Sequence, residues 1–310
     1  MKDSLHKPVL YKEIIHALQP KNLGRYLDGT VGAGGHARGI LEACAPDGCL
    51  LGLDVDPKAL AVARETLAPY GKRAELEQAS YTALLQVMQR LGWQTVDGIV
   101  LDLGVSSMQL DEPMRGFSFQ QEAPLDMRFD PGQGVSAADL VNTASDGELE
   151  DILFRYGEEP RARSIARNIV QARPIATTTQ LAEIVKKAYP GHSRIHPATR
   201  TFQALRIAVN EELSRLQEVL PMALKALEQG GRLAVISFHS LEDRIVKDFF
   251  REQSRDLINP PYERIYEVER KATLREINRK PIMPNAEEIA QNPRARSAKL
   301  RVAEKSGVSE

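Results

Sequence analysis

Asp28-Gly-Thr-Val-Gly-Ala-Gly-Gly-His36 is the stretch that decides the fold. The residues before it, Arg25 to Asp28, read as a short strand, and those after it, His36 to Ala45, read as a helix. Glycines at such a junction let the backbone turn sharply and let a ligand approach it closely. The helix start adds N–H donors that have no partner within the helix. A second strand follows, Gly48 to Asp54, with Cys-Leu-Leu-Gly-Leu between turn residues. Asp54 ends it about 20 residues beyond the glycines, where an acid can accept hydrogen bonds from both hydroxyls of a ribose.

Gly32-x-Gly34-x-x-Ala37 also satisfies the dinucleotide pattern. Asp28, however, stands just before the glycines, which suits a pyrophosphate badly. It suits a ligand that carries an ammonium and a sulfonium charge, and this favours S-adenosylmethionine. A dinucleotide and a purely structural glycine turn remain the alternatives. His36 has two readings, a surface or capping residue at the helix start, or a residue lining the methionine pocket through its backbone.

The pattern extends in both directions. Pro8 to Leu18 reads as a helix, with Val9, Leu10, Ile14, Ile15 and Leu18 near one face. Pro57 suits the first turn of a helix that runs to about Leu67. Glu75 to Gln78 reads as a third strand, Tyr81 to Leu91 as a helix, and Val96 to Leu103 as a strongly apolar fourth strand. Strands alternating with helices predict a parallel sheet covered on both faces, and the apolar fourth strand suits its centre.

The alternation then stops. Gln109 to Val135, rich in Gly, Pro, Asp and Phe, reads as an ordered loop or several turns. Ser136 to about Tyr189 is helical in period. Pro197 to about Leu227 is a long helical stretch with Pro221 as its candidate break and Gly230-Gly231 as its end. Arg232 to Phe238 is a strand again, Ser240 to Phe250 a helix, and Ser297 to Val302 a last strand, with a polar, frayed tail expected after Ala303. The predicted class is α/β: a Rossmann-like domain of residues 1–109 and 211–310, interrupted by a mostly helical substrate-recognition domain at 110–210.

Leu101-Asp-Leu-Gly-Val-Ser-Ser-Met-Gln-Leu-Asp111 sits at the carboxyl end of the fourth strand. In open parallel sheets, ligands bind outside these ends. Methyl transfer is an in-line displacement, so positioning does most of the work. If the nucleophile is an exocyclic amine, acceptors must hold its hydrogens, and a carboxylate must stabilise the charge that develops on nitrogen. Asp102 and Ser106 are the catalytic candidates. The competing reading is a polar turn capped by Asp102.

Composition sets bounds on function. A chain of 310 residues suggests about two domains. No apolar run approaches the roughly 20 residues a membrane span needs, and no secretory h-region follows the N-terminus. Cys44 and Cys49 give neither a disulfide framework nor a zinc spacing. No metal site is expected, and the setting reads as reducing and cytoplasmic. The net charge of −1 means that any nucleic-acid site must be a local patch.

Eight blocks together resemble one family. They are His6-x-Pro-Val-Leu, Asp28 to His36, Leu101 to Ser107 with Gln109, Arg115-Gly-Phe-Ser-Phe119, Pro124-Leu-Asp-Met-Arg128, His196-Pro-Ala-Thr-Arg-Thr-Phe-Gln-Ala204, Ser237-Phe-His-Ser-Leu-Glu-Asp-Arg244 and Asn292-Pro-Arg-Ala-Arg-Ser297. The chain resembles the MraW family of bacterial ribosomal RNA small subunit methyltransferases over nearly its whole length. The resemblance implies S-adenosylmethionine as cofactor and the exocyclic N4 amine of a cytidine in 16S ribosomal RNA, near the decoding site, as target. It implies cofactor contacts at Gly34, Gly35, His36, Asp54, Tyr81, Asp102 and Gln109. Tyr81 stands where the family often has Phe, which keeps a ring beside the adenine. Leu103-Gly104-Val105 replaces the Pro-Pro-aromatic motif of many amine methylases of DNA, so that comparison assigns no catalytic residue.

Candidate RNA contacts are the clusters Arg194, His196, Arg200 and Arg206; Lys271, Arg275, Arg279 and Lys280; and Arg294, Arg296, Lys299 and Arg301. Phe117, Phe119 and Phe129 are candidate stacking or wall residues; the competing reading for each is core. The near-neutral charge suggests recognition of the shape of the assembled small subunit, which predicts poor activity on free oligonucleotides. Rival readings are a non-catalytic ribosome assembly factor, a nicotinamide dehydrogenase and a small-molecule methylase. Monomer and homodimer both remain open.

Overall fold

The computed structural model describes residues 8–189, 196–258, 268–269 and 271–307. The chain divides into two compact units. One runs up to Gly104 and resumes at Ser214; the other is Val105–Leu213.

The first unit is built on a seven-stranded sheet: β1 (Arg25–Asp28), β2 (Cys49–Asp54), β3 (Ala74–Gln78), β4 (Val96–Asp102), β5 (Leu227–Ser237), β6 (Leu274–Glu276) and β7 (Lys299–Lys305). Their spatial order is β3-β2-β1-β4-β5-β7-β6. The first five are mutually parallel, and β7 runs antiparallel between β5 and β6. Side chains alternate across a strand with period two, and the core divides accordingly. Val100, Ala234, Ile236, Leu300 and Val302 join one cluster with α1 (Tyr11–Leu18), α2 (Gly35–Ala43) and α3 (Pro57–Leu67). Ile99, Leu101, Leu233, Val235 and Ala303 join the other cluster. Helix α4 (Leu84–Arg90), α11 (Glu212–Ala226) and α12 (Ser240–Gln253) pack into it. Strands buried on both faces read as continuous apolar runs, which is why β4 stood out in the sequence.

The second unit is helical: α5 (Ser107–Asp111), α6 (Ala137–Thr143), α7 (Asp146–Gly157), α8 (Ala162–Gln171), α9 (Thr178–Lys186) and α10 (Ala198–Asn210). Capping boxes start four of them, through Ser106 with Gln109, Ser136 with Asp139, Ser145 with Glu148, and Thr177 with Gln180. The loop before α6 is held by buried polar groups. Arg115 donates to the carbonyls of Arg128 at 3.0 Å and Phe129 at 2.8 Å. Asn210 donates to Met127 O at 2.7 Å and accepts from Phe129 N at 2.8 Å.

Three boundaries differ from expectation. The long helical stretch breaks at Glu211, which sits at φ 52°, and Pro221 lies inside α11 without ending it. That helix stops at Ala226, and Gly230-Gly231 lie within β5. The chain after Ala303 continues as strand to Lys305, because Glu304 accepts ion pairs from Arg232 at 3.0 Å and Arg275 at 2.6 Å.

Candidate functional site

The glycine loop is tied to the strands on either side of β1. Gly29 N donates to Val100 O of β4 at 3.0 Å, and Val31 N to Leu53 O of β2 at 2.9 Å. Thr30 Oγ1 accepts from Asp102 N at 2.7 Å. Gly32 N donates to Asp54 Oδ2 at 2.9 Å. Gly34 caps α2 at φ 84°, a conformation that costs any other residue steric strain, and a Cβ there would meet Leu67 at 3.2 Å. Within this unit Asp28, the glycine loop, His36, Asp54 and Asp102 therefore converge at the carboxyl ends of three neighbouring strands. Tyr81 opens the short 3-10 helix Tyr81–Ala83 after β3, and a Cβ on Gly29 would lie 3.1 Å from its Cβ. Gly35 and His36 form the first turn of α2.

The carboxylates are held in different ways. Asp28 is buried, and loss of hydration pushes its carboxyl up to about 7, against the pull of His36 and the Thr30 N–H. Asp54 is pushed up to about 6 by burial, against the N–H groups of Asp56 and Gly32. His36 Nε2 lies 3.6 Å from Asp102 Oδ2. Asp102 Oδ1 and both ring nitrogens of His36 are buried with no hydrogen-bond partner among the described residues. None of the three aspartates is paired with a Lys or Arg among those residues.

Asp54 has a second duty that its position in the sequence did not reveal. Its two oxygens accept the Gly32 and Asp56 N–H groups, each at 2.9 Å. A carboxylate offers about four acceptor sites, so two remain for a ribose. Thr30 escaped the sequence reading altogether; its signal was its place between Asp28 and the glycines. Ser106 and Gln109 belong to the other unit and form a capping box for α5: Ser106 Oγ accepts from Gln109 N at 3.2 Å, and Gln109 Oε1 from Ser106 N at 3.0 Å.

The basic clusters are partly consumed by the fold. Arg206 pairs with buried Glu212 at 2.8 and 3.0 Å. Arg275 pairs with Glu304, and Lys299 and Arg301 pair with Asp243. His6 and Arg194 lie outside the described residues. Phe117 is buried and stacks on Phe129, both packed with the second unit's core, whereas Phe119 stacks on exposed His196.

Unpaired acids around a glycine loop fit a cationic nucleoside and not an anionic pyrophosphate. The antiparallel β7 between β5 and β6 also departs from the 3-2-1-4-5-6 sheet of dinucleotide-binding folds. Together they define an S-adenosylmethionine-dependent methyltransferase of Rossmann-like fold. The chain belongs to the MraW methylase family, whose model matches residues 3–306. It is 54% identical to a ribosomal RNA small subunit methyltransferase H of Dehalococcoides mccartyi, over 97% of this chain and 86% of that one. It is 52% identical to a protein of the same description from Heliobacterium mobile, over 97% and 98%. With one from Geotalea uraniireducens the identity is 50%, over 98% and 100%. No helix among the described residues is long and apolar enough to cross a membrane.

Two results are expected here. Asp54→Asn leaves an amide that can accept but carries no charge, and calorimetry should show S-adenosylmethionine affinity reduced by about 1–3 kcal/mol. Unchanged affinity removes Asp54 from the ribose position. Because Asp28 and Asp54 titrate near 7 and 6, a cationic ligand that favours their ionised forms should release protons between pH 6 and 7. Calorimetry in buffers of different ionisation enthalpy should therefore find proton release, and an affinity that rises with pH across that window. Proton uptake would contradict the assignment.

Proposed function

We propose that this chain methylates the exocyclic N4 amine of a cytidine in 16S ribosomal RNA within the small subunit, in the cytoplasm, with Val105–Leu213 recognising the substrate. The observation that carries the reading is the set of carboxylates Asp28, Asp54 and Asp102 around the glycine loop, none paired with a Lys or Arg among the described residues, in a chain whose relatives are described as small subunit ribosomal RNA methyltransferases.

When bound, S-adenosylmethionine supplies a methyl group made electrophilic by the sulfonium. The Gly34, Gly35 and His36 turn and Asp28 receive its methionine end, Asp54 its ribose and the Tyr81 ring its adenine. Gln109 would complete the contacts. Asp102 has the central role. Its half-buried carboxylate, paired with no Lys or Arg among the described residues, would accept an amine hydrogen, which draws the nitrogen lone pair out of conjugation and stabilises the positive charge that grows on nitrogen. His36 Nε2 lies 3.6 Å from Oδ2, too far for a hydrogen bond. The sequence motif makes Ser106 a second candidate acceptor for the amine; in the structure it caps α5 of the other unit. The displacement needs no strong base, because the cation formed as nitrogen gains the methyl group is acidic and loses its proton readily to water.

The test is labelled methyl transfer to small subunits isolated from cells that lack the protein, followed by mass spectrometry of the nucleosides. N4-methylcytidine is the expected product. Label on another base, or none with active cofactor binding, overturns the reading and in the second case favours an assembly factor.

A further inference from the structure

His196 and Phe119 form a ring pair in the second unit that its folding alone does not require. Their centroids are 4.5 Å apart and their planes 24° apart. Phe119 is braced from the other direction by the edge of buried Phe202, at 4.9 Å and 73°. The imidazole cannot swing freely. Its Nδ1 accepts the Ala198 N–H at 3.2 Å, which fixes the ring against the first turn of α10 and leaves the proton of the neutral ring on Nε2. The outermost ring of this three-ring stack is exposed, and Arg200, one helical turn further, is exposed too. The other two phenylalanines of the region, Phe117 and Phe129, turn inward on each other. An exposed, flat, braced ring is the arrangement on which unpaired bases stack.

We infer that the His196 ring, backed by Phe119 and Phe202, is a stacking platform for one unpaired base of the substrate RNA. The inference rests on the RNA-directed reading above and adds to it a contact apart from Asp102, one that orients the strand and takes no part in methyl transfer. Stacking accepts any base, so this contact contributes affinity and register without sequence preference.

The two roles of His196, stacking outward and holding the α10 turn, separate by substitution. His196→Phe keeps the ring and loses the acceptor; His196→Asn keeps the acceptor and loses the ring. The probe is a fluorescein-labelled single-stranded oligoribonucleotide, compared by anisotropy with an abasic strand of equal length and charge, on the full chain. The wild type should prefer the base-bearing strand roughly tenfold, His196→Phe should retain that preference, and His196→Asn should lose it. No preference in the wild type, or loss in Phe with retention in Asn, or equal behaviour of the two variants, overturns the platform. This readout needs no turnover. If methyl transfer to small subunits fails while the base preference stands, the catalytic reading falls and the platform survives.

Discussion

Asp102→Asn should lower single-turnover methyl transfer roughly 100- to 1000-fold, the scale of losing one preorganised electrostatic contact at a developing charge, and should weaken cofactor binding far less. The substitution is nearly isosteric. It leaves the backbone bond from residue 102 to Thr30 Oγ1 in place, so the glycine loop keeps its anchor. What changes is the half-buried carboxylate beside His36, where a negative charge becomes a neutral amide. A residue used only for positioning would lose turnover and affinity together; a group that acts on the growing ammonium loses turnover alone. Rapid-quench measurement with saturating cofactor separates the two, and a normal single-turnover rate removes Asp102 from the chemistry.

Asp243→Ala should destabilise the protein by about 3–5 kcal/mol, because it strands a buried cation. Arg301, on the central antiparallel strand β7, is buried and reaches Asp243 at 2.7 Å, and Lys299 reaches the same carboxylate at 3.2 Å. Burial alone would raise the Asp243 carboxyl, but the bonds from Arg301 and Lys299 hold it below the ordinary range. A depressed acid contributes stability above its unfolded pKa and loses it as pH falls through its folded pKa. The difference between wild type and variant should therefore be full near neutrality and shrink in acid. Thermal unfolding from pH 7 downward measures this. A variant within 1 kcal/mol of wild type at pH 7 would show that the pair is not part of what holds β7 to α12.

This pair also shows where the sequence stopped being informative. Arg294, Arg296, Lys299 and Arg301 form one basic run, and a run cannot show that Arg301 faces a half-buried aspartate 58 residues away. The same holds for Arg206 with Glu212 and for Arg275 with Glu304. Ion pairing across long separations is set by tertiary packing, so local charge counts overstate the surface open to RNA. The frayed tail was misjudged for the same reason: Glu304 looks solvent-bound until β5 and β6 bring Arg232 and Arg275 beside it.

Features carried by local pattern were legible. The apolar β4, the glycine turn, the acid ending β2 and the Pro57 helix start all depend on neighbours within a few residues. Pro221 was a local signal that tertiary packing overrode. Leu216, Val219, Leu220 and Ala223 line the core face of α11, and burying that face outweighs the hydrogen bond a proline cannot make. Glu211 marks the break instead, and a glutamate at positive φ has no sequence signature. In the candidate site the types of chemistry were readable, but not the double use of the residues. The Asp54 bond to Gly32 exists only once the turns have formed, whereas the Ser106-x-x-Gln109 spacing is itself the signature of a capping box.

The most direct measurement is calorimetric titration of the full chain with S-adenosylmethionine and, separately, with NAD. The acidic glycine turn predicts saturable binding of the sulfonium ligand at one site per chain and no heat from the dinucleotide. Saturable NAD binding with none of S-adenosylmethionine would contradict the account at its base.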